Sequence, residues 1–252
     1  MKKLLFLLFI IANTVTAQNA DSLFDNANTL YKNEKFEEAI EEYKKIEALD
    51  IVSSELYYNL GNAYYKLNNV GPSIYYYEKA LKLNPLNDDV KNNLVFAKRL
   101  ALDNIEELPK TVLQKFNANY LQKLSYNQWA KVVIGFSVLG SLLFLLFYFA
   151  EGSLKKRFYF TTSIISFILL VTSLFITYQQ YNYFINNKEA IIFAEETDVK
   201  NAPTFNSEKV FTLHEGTKVV VLDAVDDWKK IKLIDGKTGW IIGNELKLLN
   251  DF

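Results

Sequence analysis

A direct internal repeat is the feature that most constrains the fold of this chain. Ala20–Ser53 aligns with Ser54–Asn87 without a gap, at a period of about 34 residues, the length of one helix–turn–helix unit. The matched pairs are Asn28 and Asn62, Tyr31 and Tyr65, Lys32 and Lys66, Ile40 and Ile74, and Tyr43 and Tyr77. One such unit cannot bury its apolar face alone, so neighbouring units stack into a solenoid. We therefore predict an all-α solenoid over residues 18–104, with a groove that binds other polypeptides.

Composition argues against catalytic, metal-binding and nucleic-acid-binding functions. The chain has no cysteine, one histidine and a net charge of −1. Zinc ligands and thiol nucleophiles are therefore scarce, and the chain lacks the excess of positive charge typical of nucleic-acid-binding proteins. The acidic pairs at residues 37–38, 41–42 and 226–227 are expected on solvated helix faces or turns. We expect no catalytic residues, no metal site, no cofactor, no nucleic-acid partner and no enzymatic activity.

The first 17 residues have the layout of a signal peptide. Lys2 and Lys3 precede an apolar run from Leu4 to Ala12, and the small residue Ala17 follows at a suitable cleavage position. An uncleaved membrane anchor is the alternative. Both interpretations carry the repeats across a membrane.

Two further apolar segments predict a transmembrane hairpin. The chain is uncharged from residue 132 to residue 150 and again from residue 158 to residue 187, and about 20 apolar helical residues cross a bilayer core. We predict spans over residues 129–150 and 158–179. A buried helical hairpin in a soluble domain is the alternative.

The short connection between the spans, residues 151–157, predicts the topology. It carries Lys155, Lys156 and Arg157, and basic loops remain in the cytoplasm. The solenoid and the C-terminal region then both face the periplasm, and the protein is expected in a bacterial inner membrane with the lipid bilayer as a partner.

Residues 105–128 form a connector with amphipathic spacing. Leu113, Phe116, Tyr120 and Leu124 recur at intervals of three or four residues, with lysines among them. A helix of this kind placed just before a span lies in the lipid headgroup layer, or it packs on the repeat domain. The sequence leaves both interpretations open.

The repeats resemble the tetratricopeptide family. In the second unit the matching residues are Leu60, Gly61, Tyr64, Tyr77, Ala80 and Pro85. The first unit departs from the pattern at Asn26 and Ile51, and a third half-unit begins at Asp88.

The resemblance implies a ligand groove along the first helix of each unit. Its residues here are Asn28, Tyr31, Lys32, Tyr58, Asn62, Tyr65 and Lys66. They suit an extended peptide, with a solvated helix face as the alternative. A carboxylate clamp is not expected, because Phe24, Asp89 and Asn93 stand where its cations belong.

The C-terminal region, residues 188–252, has short strand patterns separated by turn signals. They predict a small all-β barrel. The string Gly236-Lys-Thr-Gly239-Trp240-Ile241 and the preceding Asp227-Trp228 resemble the bacterial SH3 family. That resemblance implies binding of cell-wall peptides or proteins. Trp228 and Trp240 are expected in the barrel core rather than on a ligand platform, and His214 in an exposed turn.

The order of the segments resembles that of BatE-like proteins from the aerotolerance operons of Bacteroidota. The resemblance implies a multidomain, non-catalytic scaffold in an inner-membrane complex, with von Willebrand-type Bat proteins as partners. The alternative is a cell-wall sensor or anchor that binds peptidoglycan through its SH3-like barrel and recruits a wall enzyme.

Overall fold

The structure is a computed structural model that describes residues 20–249, so the predicted signal peptide lies outside the described residues. Five helices come first along the described chain. They are α1 (residues 20–32), α2 (Phe36–Glu47), α3 (Ser54–Lys66), α4 (Val70–Leu83) and α5 (Asp88–Lys98). The side chains of Ser53 and Asn87 cap the first backbone amides of α3 and α5.

The two helical pairs reproduce each other in backbone detail. Glu34 and Asn68, which are equivalent in the repeat, both have positive φ angles, 60° and 59°, in the turns between paired helices. Gly61 lies against Tyr77, and a Cβ atom on Gly61 would come within 2.6 Å of the Tyr77 ring. The glycine therefore permits the close helix approach that the repeat pattern predicts.

The C-terminal region forms a seven-stranded antiparallel sheet. Its strands are β1 (Lys188–Ile192), β2 (Glu196–Lys200), β3 (Lys209–His214), β4 (Lys218–Val225), β5 (Trp228–Lys232), β6 (Thr238–Ile242) and β7 (Leu246–Leu248). The order across the sheet is β3-β2-β6-β5-β4-β1-β7. Val199, Leu213, Ile231 and Ile241 are buried in its core. The sheet is consistent with the predicted SH3-like module.

The repeats and the sheet form one compact unit with a shared apolar core. Ile191 and Leu249, from the C-terminal module, are fully buried in the core of the helical region. The ring of Phe193 meets the edge of Tyr75 on α4 at a centroid distance of 5.4 Å. The sequence predicted two separate domains, whereas the structure packs them against each other.

A second unit contains the two long apolar helices. A short helix α6 (Val112–Phe116) continues into a π-helical turn (Asn117–Leu121), followed by α7 (Tyr126–Phe149) and α8 (Ser153–Asn186). The most apolar 18-residue stretches of the two long helices have mean hydropathies of 2.4 and 2.0, and both helices are long and apolar enough to cross a membrane. Helix α8 begins after Gly152, whose φ is 92°, so most of the predicted loop 151–157 is helical.

Polar contacts join the two long helices. The Ser166 hydroxyl on α8 donates a hydrogen bond to the carbonyl oxygen of Phe136 on α7, at 3.0 Å. Gly140 lies opposite the same serine, where a Cβ atom would be 3.4 Å from its hydroxyl oxygen. Small residues at this crossing allow the backbones to approach, as in packed apolar helices.

Candidate peptide-binding groove

The first rung of the candidate groove is built around Asn28 on α1. Its side-chain carbonyl oxygen accepts hydrogen bonds from the Tyr43 hydroxyl at 2.6 Å and from the Asn59 amide nitrogen at 3.0 Å. An amide oxygen has two lone pairs, and both are used here. The orientation of the Asn28 amide is therefore fixed by residues on α2 and α3.

The second rung repeats this arrangement one unit further along. The carbonyl oxygen of Asn62 accepts from the Tyr77 hydroxyl at 2.7 Å and from the Asn93 amide at 2.8 Å. Asn93 also donates to the Tyr58 hydroxyl at 3.2 Å. Asn62, Tyr77 and Asn93 are the repeat equivalents of Asn28, Tyr43 and Asn59, so the two rungs form a ladder of oriented amides across α1, α3 and α5.

A small cavity of about 120 Å³ opens beside the first rung. It is lined by Asn28, Tyr31 and Lys32, which the sequence predicted, and by Tyr43 and Asn59. Lys32 is exposed to solvent, while Asn28 and Tyr31 are half-buried. Two amides, two phenols and an ammonium group thus line one concave site.

The phenols of the cavity remain neutral hydrogen-bond donors at physiological pH. Burial raises the pKa of Tyr31 above its ordinary value of 10.0, and the nearby Tyr58 adds to this effect. Burial raises the pKa of Tyr43 to about 12, although a side-chain hydrogen bond with Asn59 opposes the shift. Neither phenol therefore ionises in the range where the protein functions.

The remaining predicted groove residues are distributed unevenly. Tyr58 and Asn62 belong to the second rung, whereas Tyr65 and Lys66 lie at the end of α3, outside the cavity. The sequence-based site omitted Tyr43, Asn59 and Asn93. Asn59 and Asn93 are themselves repeat equivalents, so the period contained the signal that would have identified them.

A network of charged side chains joins α4 to the β-module on another side of the repeats. Glu78 is buried and accepts hydrogen bonds from Lys98 at 2.7 Å and from Lys218 on β4 at 2.9 Å. Lys218 also pairs with Glu189 at 3.2 Å, and Glu189 pairs with Lys82 of α4 at 2.9 Å. Two carboxylates and three ammonium groups therefore alternate across the contact.

The network keeps its carboxylates ionised although they are buried. Burial alone raises the pKa of Glu78, but Lys218 and Lys98 outweigh that effect and lower it to about 2. Burial likewise raises the pKa of Glu189, and Lys218 and Lys82 bring it below its ordinary value. Satisfied charges at this contact fix how the β-module sits on α4.

A second polar contact corrects the prediction for His214. Its backbone amide and its ring nitrogen Nδ1 contact the Asp103 carboxylate at 2.7 and 2.8 Å, and the Thr217 hydroxyl donates to the same carboxylate at 2.5 Å. The prediction of an exposed turn histidine is wrong, because the segment after α5 brings Asp103 against the turn between β3 and β4.

The two barrel tryptophans have different environments. Trp228 is buried, with its ring edge-on to that of Phe205 at 5.2 Å. Trp240 is half-exposed, with the Lys230 ammonium 5.9 Å from its ring centroid. The core prediction therefore holds for Trp228 and is wrong for Trp240.

Comparison with known families assigns both modules of the compact unit. A tetratricopeptide repeat family model matches residues 54–87, and a second TPR repeat model matches residues 27–68. A bacterial SH3 domain model matches residues 195–247. No curated protein matches the chain. Both module types are typically non-catalytic binding modules. The chain therefore combines tetratricopeptide repeats and a bacterial SH3 domain with two apolar helices long enough to cross a membrane.

Proposed function

We propose that the protein is a non-catalytic membrane scaffold that holds an extended polypeptide segment of a partner protein in its repeat groove. The observation that carries the proposal is the ladder of oriented asparagine amides, which recurs at the repeat period. Extended peptides present backbone amides at regular intervals, so a periodic row of fixed side-chain amides is suited to bind them.

The groove residues have complementary roles in this proposal. Asn28 and Asn62 pair with backbone groups of the bound segment, and the cavity beside Tyr31 receives a side chain. Lys32 and Lys66 lie exposed at matching positions of the two units and attract carboxylates of the segment. A moderately acidic, extended segment is therefore the favoured ligand.

The membrane topology of the proposal follows from charge and hydropathy. Helices α7 and α8 span the bilayer, and the basic residues near the start of α8 remain cytoplasmic. Residues 1–17 act as the signal segment. The repeats and the SH3 domain then both face the periplasm of a bacterial inner membrane.

The partners proposed are other membrane proteins. The order of the modules resembles that of BatE-like proteins, which supports membership of a Bat-type aerotolerance or envelope-stress complex with von Willebrand-type proteins. Crosslinking in intact membranes followed by mass spectrometry identifies the partners, and von Willebrand-type proteins among them are the result expected.

The groove itself is tested by site-specific photocrosslinking in the same membranes. A photoreactive residue at Lys32 is expected to capture a partner, and the same residue at Lys45, an exposed position of α2 paired with Glu42, serves as the matched control. Substitution of Asn28 and Asn62 by alanine should abolish capture at position 32. Equal capture at both positions, or capture that survives the double substitution, contradicts the groove.

A cell-wall sensor or anchor is the second candidate function. The feature that favours it is the aromatic side chain of Phe205, which is 72% exposed beside Trp228. The full chain should then sediment with purified peptidoglycan, and Phe205→Ala should weaken retention. The full chain is required because an isolated β-module would expose Ile191 and Leu249. Absence of sedimentation together with intact membrane partners favours the scaffold.

A further inference from the structure

Helix α6 and the π-helical turn after it carry large apolar side chains that are open to the surroundings. Val112 is 84% exposed, Leu113 81%, Phe116 53% and Tyr120 63%. Such a density of exposed apolar groups in ten consecutive helical residues is costly in water.

Hydrogen bonds within residues 111–121 hold this segment in its helical form without contact with another molecule. Thr111 accepts a hydrogen bond from the Gln114 amide, and the Gln114 side chain accepts one from the Thr111 amide, which completes a capping box. Ser125 and Gln128 form the same box at the start of α7. Phe116 and Tyr120 contact each other at a ring centroid distance of 5.1 Å.

Contacts within the same unit fix the position of residues 112–121 along the axis of α8. The Gln180 amide of α8 donates to the Asn117 side chain at 3.4 Å. Tyr126 packs on Tyr181 and Phe184 of α8 at 5.7 and 5.1 Å. Asn117, in the middle of the segment, therefore lies level with Gln180.

Gln180 marks one end of the apolar part of α8. The apolar stretch from Phe158 to Tyr178 rises by about 30 Å at 1.5 Å per residue, which is the thickness of a bilayer hydrocarbon core. A segment level with Gln180 therefore lies at the boundary between acyl chains and headgroups. The indole of Trp129 donates to the Leu121 carbonyl at 2.9 Å and ties the segment to α7 at this level.

We propose that residues 112–121 bind the bilayer interface as a short in-plane helix. The side chains of Val112, Leu113, Phe116 and Tyr120 enter the outer part of the acyl layer, and Lys115 and Lys123 meet lipid phosphates. The occupant of this apolar face is the membrane that α7 and α8 span. The inference rests on the proposed membrane embedding of those two helices.

The natural absence of cysteine makes the test direct. Three single-cysteine variants of the full chain, Leu113→Cys, Leu142→Cys and Lys45→Cys, carry an environment-sensitive fluorophore. They are reconstituted in bilayers of phosphatidylcholine and phosphatidylglycerol. Leu142 lies within α7 and reports membrane embedding, whereas Lys45 lies on α2 of the repeats and reports water.

Quenching by brominated acyl chains and by aqueous iodide distinguishes the outcomes. We expect lipid quenching at position 113 to be several-fold stronger than at position 45 and to approach that at position 142. The inference is overturned if iodide quenches position 113 as strongly as position 45. It is also overturned if neither quencher reaches position 113, because that result indicates that protein covers the segment. Loss of lipid quenching at position 142 overturns the membrane embedding itself, so the two failures are distinguishable.

A second measurement tests the lysines without altering the apolar face. Replacing phosphatidylglycerol with phosphatidylcholine should increase quenching by the uncharged quencher acrylamide at position 113, because the ammonium groups lose their anionic partners. No change in access between the two bilayers contradicts the role given to the lysines.

Discussion

Replacement of Glu78 by glutamine should destabilise the unit formed by the repeats and the SH3 domain, and the loss should depend on pH. The glutamine has the shape of a protonated glutamic acid and can still accept a hydrogen bond from a lysine, but it cannot form ion pairs with Lys98 and Lys218. The substitution therefore isolates the contribution of the buried negative charge at the contact between α4 and β4.

The magnitude follows from the pKa of the folded state. Lys218 and Lys98 lower the pKa of Glu78 from 4.5 to about 2, and each tenfold change in acidity corresponds to about 1.4 kcal/mol. The charge therefore contributes roughly 3 kcal/mol at neutral pH. Because the folded-state pKa is the lower one, this contribution is complete above about pH 5 and is lost as the pH falls towards 2.

Urea unfolding of the full chain in detergent micelles, followed by tryptophan fluorescence and by the helical circular dichroism signal, measures this effect. The variant should lose roughly 3 kcal/mol at pH 7 and roughly 1 kcal/mol at pH 3, where the charge is only partly neutralised. The matched control is Glu38→Gln, whose partner Lys35 is about half exposed; it should cost less than about 1 kcal/mol at either pH.

Two results refute this reasoning. A loss for Glu78→Gln no larger than that of the control would show that the buried charge does not hold the two modules together. A loss of equal size at pH 7 and pH 3 would show that packing, rather than charge, accounts for it.

Three further predictions concern other contacts of the same unit. Gly61→Ala should lower the free energy of unfolding by about 1–3 kcal/mol, because the new methyl group meets the Tyr77 ring; thermal unfolding checks this, and an unchanged melting temperature contradicts it. Asp103→Asn should lower the free energy of unfolding by about 1–3 kcal/mol, because the hydrogen bonds from His214 and Thr217 lose a charged acceptor. Amide hydrogen exchange in β3 and β4 should become faster, and unaltered exchange contradicts the prediction. Tyr77→Phe should weaken capture of a partner through the second rung while leaving the fold intact; equal crosslinking yield from the two proteins would show that the Asn62 orientation is irrelevant.

Elements governed by local periodicity were predictable from the sequence. The repeat period identified the helical pairs and the family of the repeats, because both depend on spacing within one unit. The turn at Gly236, whose φ is 92°, lies at an Asp-Gly dipeptide, which is one of the turn signals between the strand patterns. The groove was partly predictable, since Asn28 and Asn62 are visible as an identical pair.

The contact between the repeats and the SH3 domain was not predictable in this way. Glu78 and Lys218 are far apart in sequence, and each resembles an ordinary surface charge in its own segment. Ile191 and Leu249 have the pattern of barrel residues, yet they are buried in the core of the helical region. Only the tertiary packing specifies these pairings, and the same packing explains why His214 is bound rather than free.

Helix α4 connects the groove to the SH3 domain. Tyr77 orients Asn62 in the ladder, while its neighbour Glu78 contacts β4 of the SH3 domain through Lys218. Side chains of successive residues in a helix point about 100° apart. The SH3 domain therefore occupies a different side of α4 from the groove and leaves the ladder open. The packed SH3 domain also restrains α4, which carries Tyr77 of the second rung. Part of the conformational entropy of these side chains is therefore lost during folding rather than during binding. For the proposed function, such preorganisation predicts higher affinity for an extended segment without any additional contact to it.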